Sequence, residues 1–427
     1  MTTTGSPPTT AATRPLPPPG RTPLKGRLAV LAVTLGIFTI VTAEILPIGL
    51  LTRIGADFGI SDGTAGLMMT LPGLLAACAA PAVTVATARI DRRLMLCVLI
   101  ALLALAAFLT AAAPAYWLVL LARVLIGVVI GGFWSIGAGI AERLVPARSA
   151  ARATAVIFSA VPLGSVLGVP AGTYLGDLAG WRTACAAVGA LAVAVLVLTA
   201  LVMPPLPPVR PTGPALLRSL LRGTHTRFAL AMTFLIVLAH FSAYTYVTPF
   251  LERTTRLPSA ATVTVFLLVY GTAGVVGNFA GGAVVARRPR TVFGTAAGLL
   301  ALATLLLPVL GRGPAGALVL LAVWGAAYGA VPVASQTWFA TAAPGTPEAA
   351  SVLFTASFQA TLALGALAGG LVVDHTSPSM ALTLGGATAV LVVLLAWLHF
   401  AKWRHWARRW GAPQSGGVSC ETLRGFT

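Results

Sequence analysis

The chain has 427 residues, 57% of them apolar and only 9% charged, with a mean hydropathy of +0.92. Those values exclude an ordinary soluble domain and a disordered chain, neither of which carries so much apolar surface. The formal net charge of +18 would suit a nucleic-acid binder, but the placement of the cations described below excludes that reading.

Residues 1–27 are Thr/Pro-rich and read as a disordered cytoplasmic tail. They do not read as a cleaved signal, because the apolar run behind them is too long for one. Twelve apolar runs follow, at 28–51, 65–86, 94–113, 117–140, 153–176, 183–203, 228–250, 261–285, 292–310, 316–340, 350–373 and 380–401. Each is close to the roughly 20 residues a helix needs to cross about 30 Å of hydrocarbon. The alternating ten-residue segments of a membrane barrel do not occur. The expected fold is therefore an all-α membrane protein with twelve transmembrane helices.

The first run contains Glu44, the one acid of ten that lies well inside an apolar run. A carboxylate there costs several kcal/mol unless it is paired, protonated or next to water. Pro47 has no N–H to offer the Ala43 carbonyl, which predicts a bend beside the acid. Arg89, Asp91, Arg92 and Arg93 occupy the turn after the second run. They are positive-inside anchors at least, and Glu142 at the end of the fourth run is their candidate salt-bridge partner in a gate.

Arg123 lies in the fourth run at a depth similar to that of Glu44, so the two are expected to pair. The pair would be either a structural tie between helices or a proton-coupling couple. Burial favours the neutral acid, whereas a nearby guanidinium favours the charged one. A group balanced between the two can change protonation as its surroundings open, which coupling to a proton gradient requires. Gly127 and Gly131 continue the Arg123 face at helical spacing, and small residues there permit close packing. The fifth run carries a second stripe, Gly164, Gly168 and Gly172, broken by Pro170.

Residues 204–227 interrupt the apolar pattern with Pro204, Pro205, Pro207, Pro208, Pro211 and Pro214. They form a cytoplasmic linker between a bundle at 28–203 and a second at 228–401, with a short amphipathic stretch at Leu216–Leu221. Beyond it, His240 and Tyr244 in the seventh run, Trp324 and Tyr328 in the tenth and Gln359 in the eleventh are polar or aromatic groups near mid-span. With Glu44 and Arg123 they are the candidate substrate-binding residues. His240 is either a proton carrier or a histidine hydrogen-bonded to a neighbouring helix. Residues 402–427 form a basic tail. Cys78, Cys97, Cys185 and Cys420 have no metal or redox spacing, so no metal site is expected.

Motifs repeat between the halves. Ala88-Arg89 with Arg92, Gly127, Gly131 and Pro146 recur 198 positions later as Ala286-Arg287 with Arg290, Gly325, Gly329 and Pro344. Gly168, Gly172 and Asp177 recur at 197 as Gly365, Gly369 and Asp374. A steady shift over separate runs marks a duplicated six-span unit, an arrangement that transporters use. With the N-terminus inside, 22 of the 28 Lys and Arg residues fall in cytoplasmic segments, against five outside and Arg123 within a span. That bias places both termini in the cytoplasm. It leaves no nucleic-acid partner to infer, only the lipid bilayer.

These residues resemble the major facilitator superfamily, in its twelve-span drug:proton antiporter branch, and are similar to bacterial sugar-efflux-like and chloramphenicol-efflux-like permeases. The resemblance covers 28–401. It rests on Thr42-Ala43-Glu44 through Pro47-Ile48-Gly49-Leu50-Leu51, Arg123 with Gly127, the Gly164–Gly172 stripe with Gly180-Trp181-Arg182, and His240 through Leu251. It implies two pseudo-symmetric six-helix bundles that rock about a cavity lined by spans 1, 4, 7 and 10, with the fifth-span motif sealing the outer side. The chain departs from the family in the 2–3 loop, where Thr84, Ala88 and Asp91 stand for an aspartate and two glycines.

The expectation is a monomeric secondary transporter of the inner membrane, not an enzyme. It would export a small organic compound, a drug or secondary metabolite, in exchange for protons, with no cofactor beyond the gradient. Export of a sugar or metabolite, or sensing on a transporter fold, are the alternatives.

Overall fold

The computed structural model describes residues 23–87, 89–137, 140–207, 223–257, 259–285, 288–342 and 347–410, and among them there is no strand. Twelve helices are long and apolar enough to cross a membrane. In chain order, spans 1 to 6 are Leu24–Phe58, Asp62–Val83, Arg92–Ala111, Tyr116–Trp134, Arg152–Ala179 and Trp181–Val202. Spans 7 to 12 are Thr226–Arg253, Ala261–Val285, Thr291–Leu310, Pro314–Ser335, Leu353–His375 and Pro378–Leu398. The face on which span 1 begins and span 12 ends is called here the terminal face, and the opposite one the distal face. The expected tail at 1–27, the stretch Leu216–Leu221 and the end of the basic tail fall largely outside the described residues.

Three helices differ from their expected form, and proline accounts for two of the differences. Span 7 breaks into Thr224–Tyr244 and Val247–Arg253, because Pro249 cannot donate to the Thr245 carbonyl. In span 5 the glycine stripe adopts the wide π form at Gly164–Gly168. This opens the turn just ahead of Pro170, whose ring would otherwise meet the Val166 carbonyl. The helix of span 12 runs on to Trp410, well past 402, where the basic tail was expected to start. Gly59, with φ of 64°, turns the chain out of span 1, a left-handed conformation in which a side chain would be strained.

The duplicated glycines make equivalent contacts. A Cβ on Gly127 would lie 2.6 Å from the Pro72 carbonyl oxygen and one on Gly131 2.6 Å from that of Ala76, both in span 2. Their counterparts Gly325 and Gly329 abut the backbone of Tyr270 and Gly274 in span 8. Gly168 and Gly172 press on Thr42 and Leu46 of span 1, while Gly365 and Gly369 press on span 7 near Leu238 and Ser242. Pairs 2–4 and 1–5 of the first half therefore recur as 8–10 and 7–11 of the second. In lipid, where apolar burial does not drive association, such close backbone approach holds helices together.

The halves meet along two seams. Span 2 lies on span 11, with the Cα of Gly73 so close that a Cβ would sit 2.6 Å from the Gln359 carbonyl oxygen. Span 5 lies on span 8, where Gly271 faces the Val166 backbone. At the distal face the halves are clasped together. Asp374 accepts from the Ser61 hydroxyl (2.7 Å) and the Gly63 N–H (2.8 Å). Arg253 pairs with the buried Asp62 at 2.6 Å, and Thr248 donates to the Ile48 carbonyl at 2.7 Å. The two repeat-related aspartates thus do different jobs: Asp177 pairs with Arg53 inside its own half at 2.6 Å, while Asp374 reaches across.

Candidate functional site

A cavity of about 560 Å³ lies between the halves on the terminal side of this clasp. It is walled by spans 1, 5, 7, 8, 10 and 11, with Trp134 contributed by span 4. The expected four-span lining is therefore corrected, because the packing of span 5 on span 8 brings both into the wall. Arg123 is not among the lining residues.

Glu44 does face the cavity, only 6% exposed. It accepts a 2.9 Å hydrogen bond on Oε1 from Gln359 Nε2, across the boundary between halves. The expected direct pairing with Arg123 does not form among the described ion pairs. Arg123, 2% exposed, instead donates from Nη1 to the Ala43 carbonyl at 2.7 Å. That carbonyl is the one Pro47 deprives of its helical donor. The guanidinium therefore satisfies the acceptor that proline leaves open in span 1, next to the acid.

Replacing Arg123 by Met should lower the melting temperature in detergent, since a buried carbonyl left without a donor costs about 1–3 kcal/mol. Adding Pro47→Ala restores an N–H at position 47, so the double variant should regain most of the loss. Equal melting of the single and double variants would contradict this account of Arg123.

The aromatic groups expected in spans 7 and 10 converge. His240 stacks on Tyr328 with centroids 3.3 Å apart and on Tyr244 at 5.0 Å, and Tyr244 stacks on Tyr270 at 4.5 Å. Trp324 stands edge-on to this pile and donates its indole N–H to His240 Nδ1 at 3.1 Å. His240 thus takes the bonding arrangement of a histidine tied to a neighbouring helix. Tyr270 and Asn278, which line the same wall, were missed in the sequence because nothing local distinguishes them from ordinary span residues.

The remaining expected groups lie away from the cavity. At the terminal face Asp91 caps span 3 through the Arg93 N–H (2.7 Å) and accepts from the Leu206 N–H at 3.0 Å. Arg92 donates to the Thr87 carbonyl at 3.0 Å and Arg93 to that of Ala200 at 2.6 Å. These groups therefore bind backbone around the ends of spans 2 and 6. Arg89 is exposed. The side chain of Glu142, their expected partner, lies outside the described residues, as does that of Thr84. Gly164, Gly168 and Gly172 lie in the contact between spans 1 and 5, and Pro170 is buried within the same stretch. Trp181 and Arg182 bond Asp57 at the distal end of span 1, which ties the entry of span 6 to the same helix.

Two similarly built helical halves around a shared, mostly apolar cavity with one buried carboxylate define a multi-pass membrane transporter of small molecules. The family model described as Major Facilitator Superfamily matches residues 33–352. The chain belongs to the major facilitator superfamily.

It is 36% identical over 351 residues to a Pseudomonas aeruginosa protein named transcription regulatory protein OpdE, covering 81% of this chain and 87% of that one. It is 30% identical over 367 residues to the purine ribonucleoside efflux pump NepI of Salmonella paratyphi B, covering 86% and 92%. Among solved structures, a bacterial homologue of the human lysosomal transporter Spinster, inward-facing and occupied, superposes with a TM-score of 0.70 at 17% identity, covering 90% of this chain and 98% of that chain. At that identity the likeness concerns the fold.

Proposed function

We propose that the protein is a proton-driven exporter of small, uncharged or weakly basic organic compounds, alternating access between the two sides of the cytoplasmic membrane. The observation that carries this reading is the position of Glu44. It is the one acid sunk deep in a span, it faces the cavity between the halves, and its hydrogen-bond partner belongs to the opposite half. A proton on that group alters both the charge of the cavity and the contact between halves. Each charge moved across the membrane supplies about 2.3 kcal/mol per 100 mV.

The excess of Lys and Arg on the terminal side supports a cytoplasmic terminal face. With the distal clasp closed, the cavity then belongs to an inward-facing state. No Lys or Arg among the described residues lines it, which disfavours anionic cargo, and the relative named as a purine ribonucleoside efflux pump fits an uncharged cargo. The clasp is the contact that must break for outward opening. Asp62→Ala combined with Asp374→Ala should raise the labelling of a cysteine at Val41 by an impermeant maleimide from the distal side, in a background without native cysteines. Unchanged labelling would remove the clasp from the cycle.

The deciding experiment is accumulation of a compound panel, inosine included, in everted vesicles. ATP-energised uptake that collapses with a protonophore supports the exporter. A second reading, a membrane sensor on a transporter fold, is favoured by the name of the Pseudomonas relative. No gradient-dependent movement of any compound, with altered gene expression on deletion, would favour it instead.

A further inference from the structure

Among the described residues, two polar atoms in the cavity wall are buried without a hydrogen-bond partner: Gln359 Oε1 and the Tyr328 hydroxyl. Gln359 is 4% exposed. The orientation of its amide is set by Glu44, because the carboxylate takes the Nε2–H at 2.9 Å and leaves Oε1 as a free acceptor. Buried polar atoms without partners are rare in folded proteins and call for an explanation. Both side chains line the same cavity, and Tyr328 lies flat on His240 at one end of the ring stack. Tyr328 is only partly buried, so part of it remains accessible.

We infer that Gln359 and Tyr328 are the specificity-determining pair of the cavity and select a planar, uncharged heteroaromatic compound whose edge carries an N–H donor beside a polar acceptor. The ring lies against the aromatic wall, its N–H donates to Gln359 Oε1, and the Tyr328 hydroxyl donates to the neighbouring acceptor. A site with buried polar atoms rejects an analogue lacking the matching groups far more strongly than an apolar pocket does. Because Gln359 also holds Glu44, cargo on Oε1 and a proton on the acid act on one side chain. A phosphorylated analogue is refused, since among the described residues no cation lines the cavity to receive it.

This inference deepens the exporter reading and rests on it for taking the cavity as the cargo site. Its test is equilibrium binding to the purified full-length protein in detergent, read by calorimetry. The probes are inosine, purine riboside (the same skeleton without the N–H and oxygen on that edge) and inosine monophosphate. Wild type should bind inosine about tenfold or more tightly than purine riboside and should not bind the monophosphate. Tyr328→Phe and Gln359→Leu should each weaken inosine more than purine riboside, so that discrimination shrinks.

Equal affinity for inosine and purine riboside in wild type, equal loss of both in both variants, or no binding of any probe would overturn the inference. Its failure is separable from that of the exporter reading. Protonophore-sensitive export of another compound without this discrimination sinks only the specificity pair. Discrimination with protonophore-insensitive transport sinks only the proton coupling.

Discussion

Glu44→Gln is expected to abolish uphill export while leaving the protein folded, in the membrane and able to bind cargo. The reason lies in the hydrogen bond with Gln359. A glutamine at position 44 still presents an oxygen to Gln359 Nε2, so the 2.9 Å contact between halves survives. What disappears is the group that can gain and lose a proton. Burying a neutral amide also costs less than burying a carboxylate, so the variant should be no less stable than wild type. Energised vesicles should then show accumulation near background, whereas exchange of labelled for unlabelled cargo at equilibrium continues. Normal accumulation in this variant would remove Glu44 from proton coupling. Loss of equilibrium exchange as well would mean that the side chain serves cargo binding instead.

A comparably large effect, this time on folding, is expected at the duplicated glycines. Gly329 lies against the Gly274 carbonyl, with the Cα of that residue also in the way. The obstacle is helix backbone, which cannot turn aside as a flexible side chain would. Gly329→Ala must therefore push span 10 off span 8, at about 1–3 kcal/mol for overpacking. It also loosens the aromatic wall those helices carry. Gly131→Ala, its counterpart between spans 4 and 2, should behave alike. Gly298 provides the control, since a Cβ there meets nothing within 4 Å. Gly298→Ala should be neutral or stabilising, because glycine inside a helix costs about 0.5–1 kcal/mol relative to alanine. Melting curves in detergent check all three, and tolerance of Gly329→Ala would refute close packing as the function of the repeat.

The legibility of the site divides along lines that have a physical cause. Glu44 stood out because a carboxylate in hydrocarbon is costly enough to be visible without any partner. His240, Tyr244, Trp324, Tyr328 and Gln359 stood out as polar or aromatic groups at mid-span; the fold brings four of them to the cavity wall, whereas Trp324 is fully buried behind it and bonds His240. The expected Glu44–Arg123 pair rested on matched depth, which says how far a residue lies along the bilayer normal and nothing about its direction around the helix. Arg123 points to the Ala43 carbonyl, one peptide away, where Pro47 had left an acceptor open. The defect and the cation were each visible in the sequence, but their match was not.

Asp374 shows the same division. The repeat identified it as the partner of Asp177, and duplicated positions would be expected to do duplicated work. They do not, because each half meets the other through span 2 against span 11 and span 5 against span 8. A contact across that seam depends on how two finished bundles dock. Span number, the internal duplication and the one acid deep within a span followed from the chain itself, since the solvation cost of each segment in lipid is local. The walls of the cavity, the partner of each buried polar atom and the distal clasp were decided by tertiary packing, because rotation about a helix axis is set by the neighbouring helices and not by hydropathy.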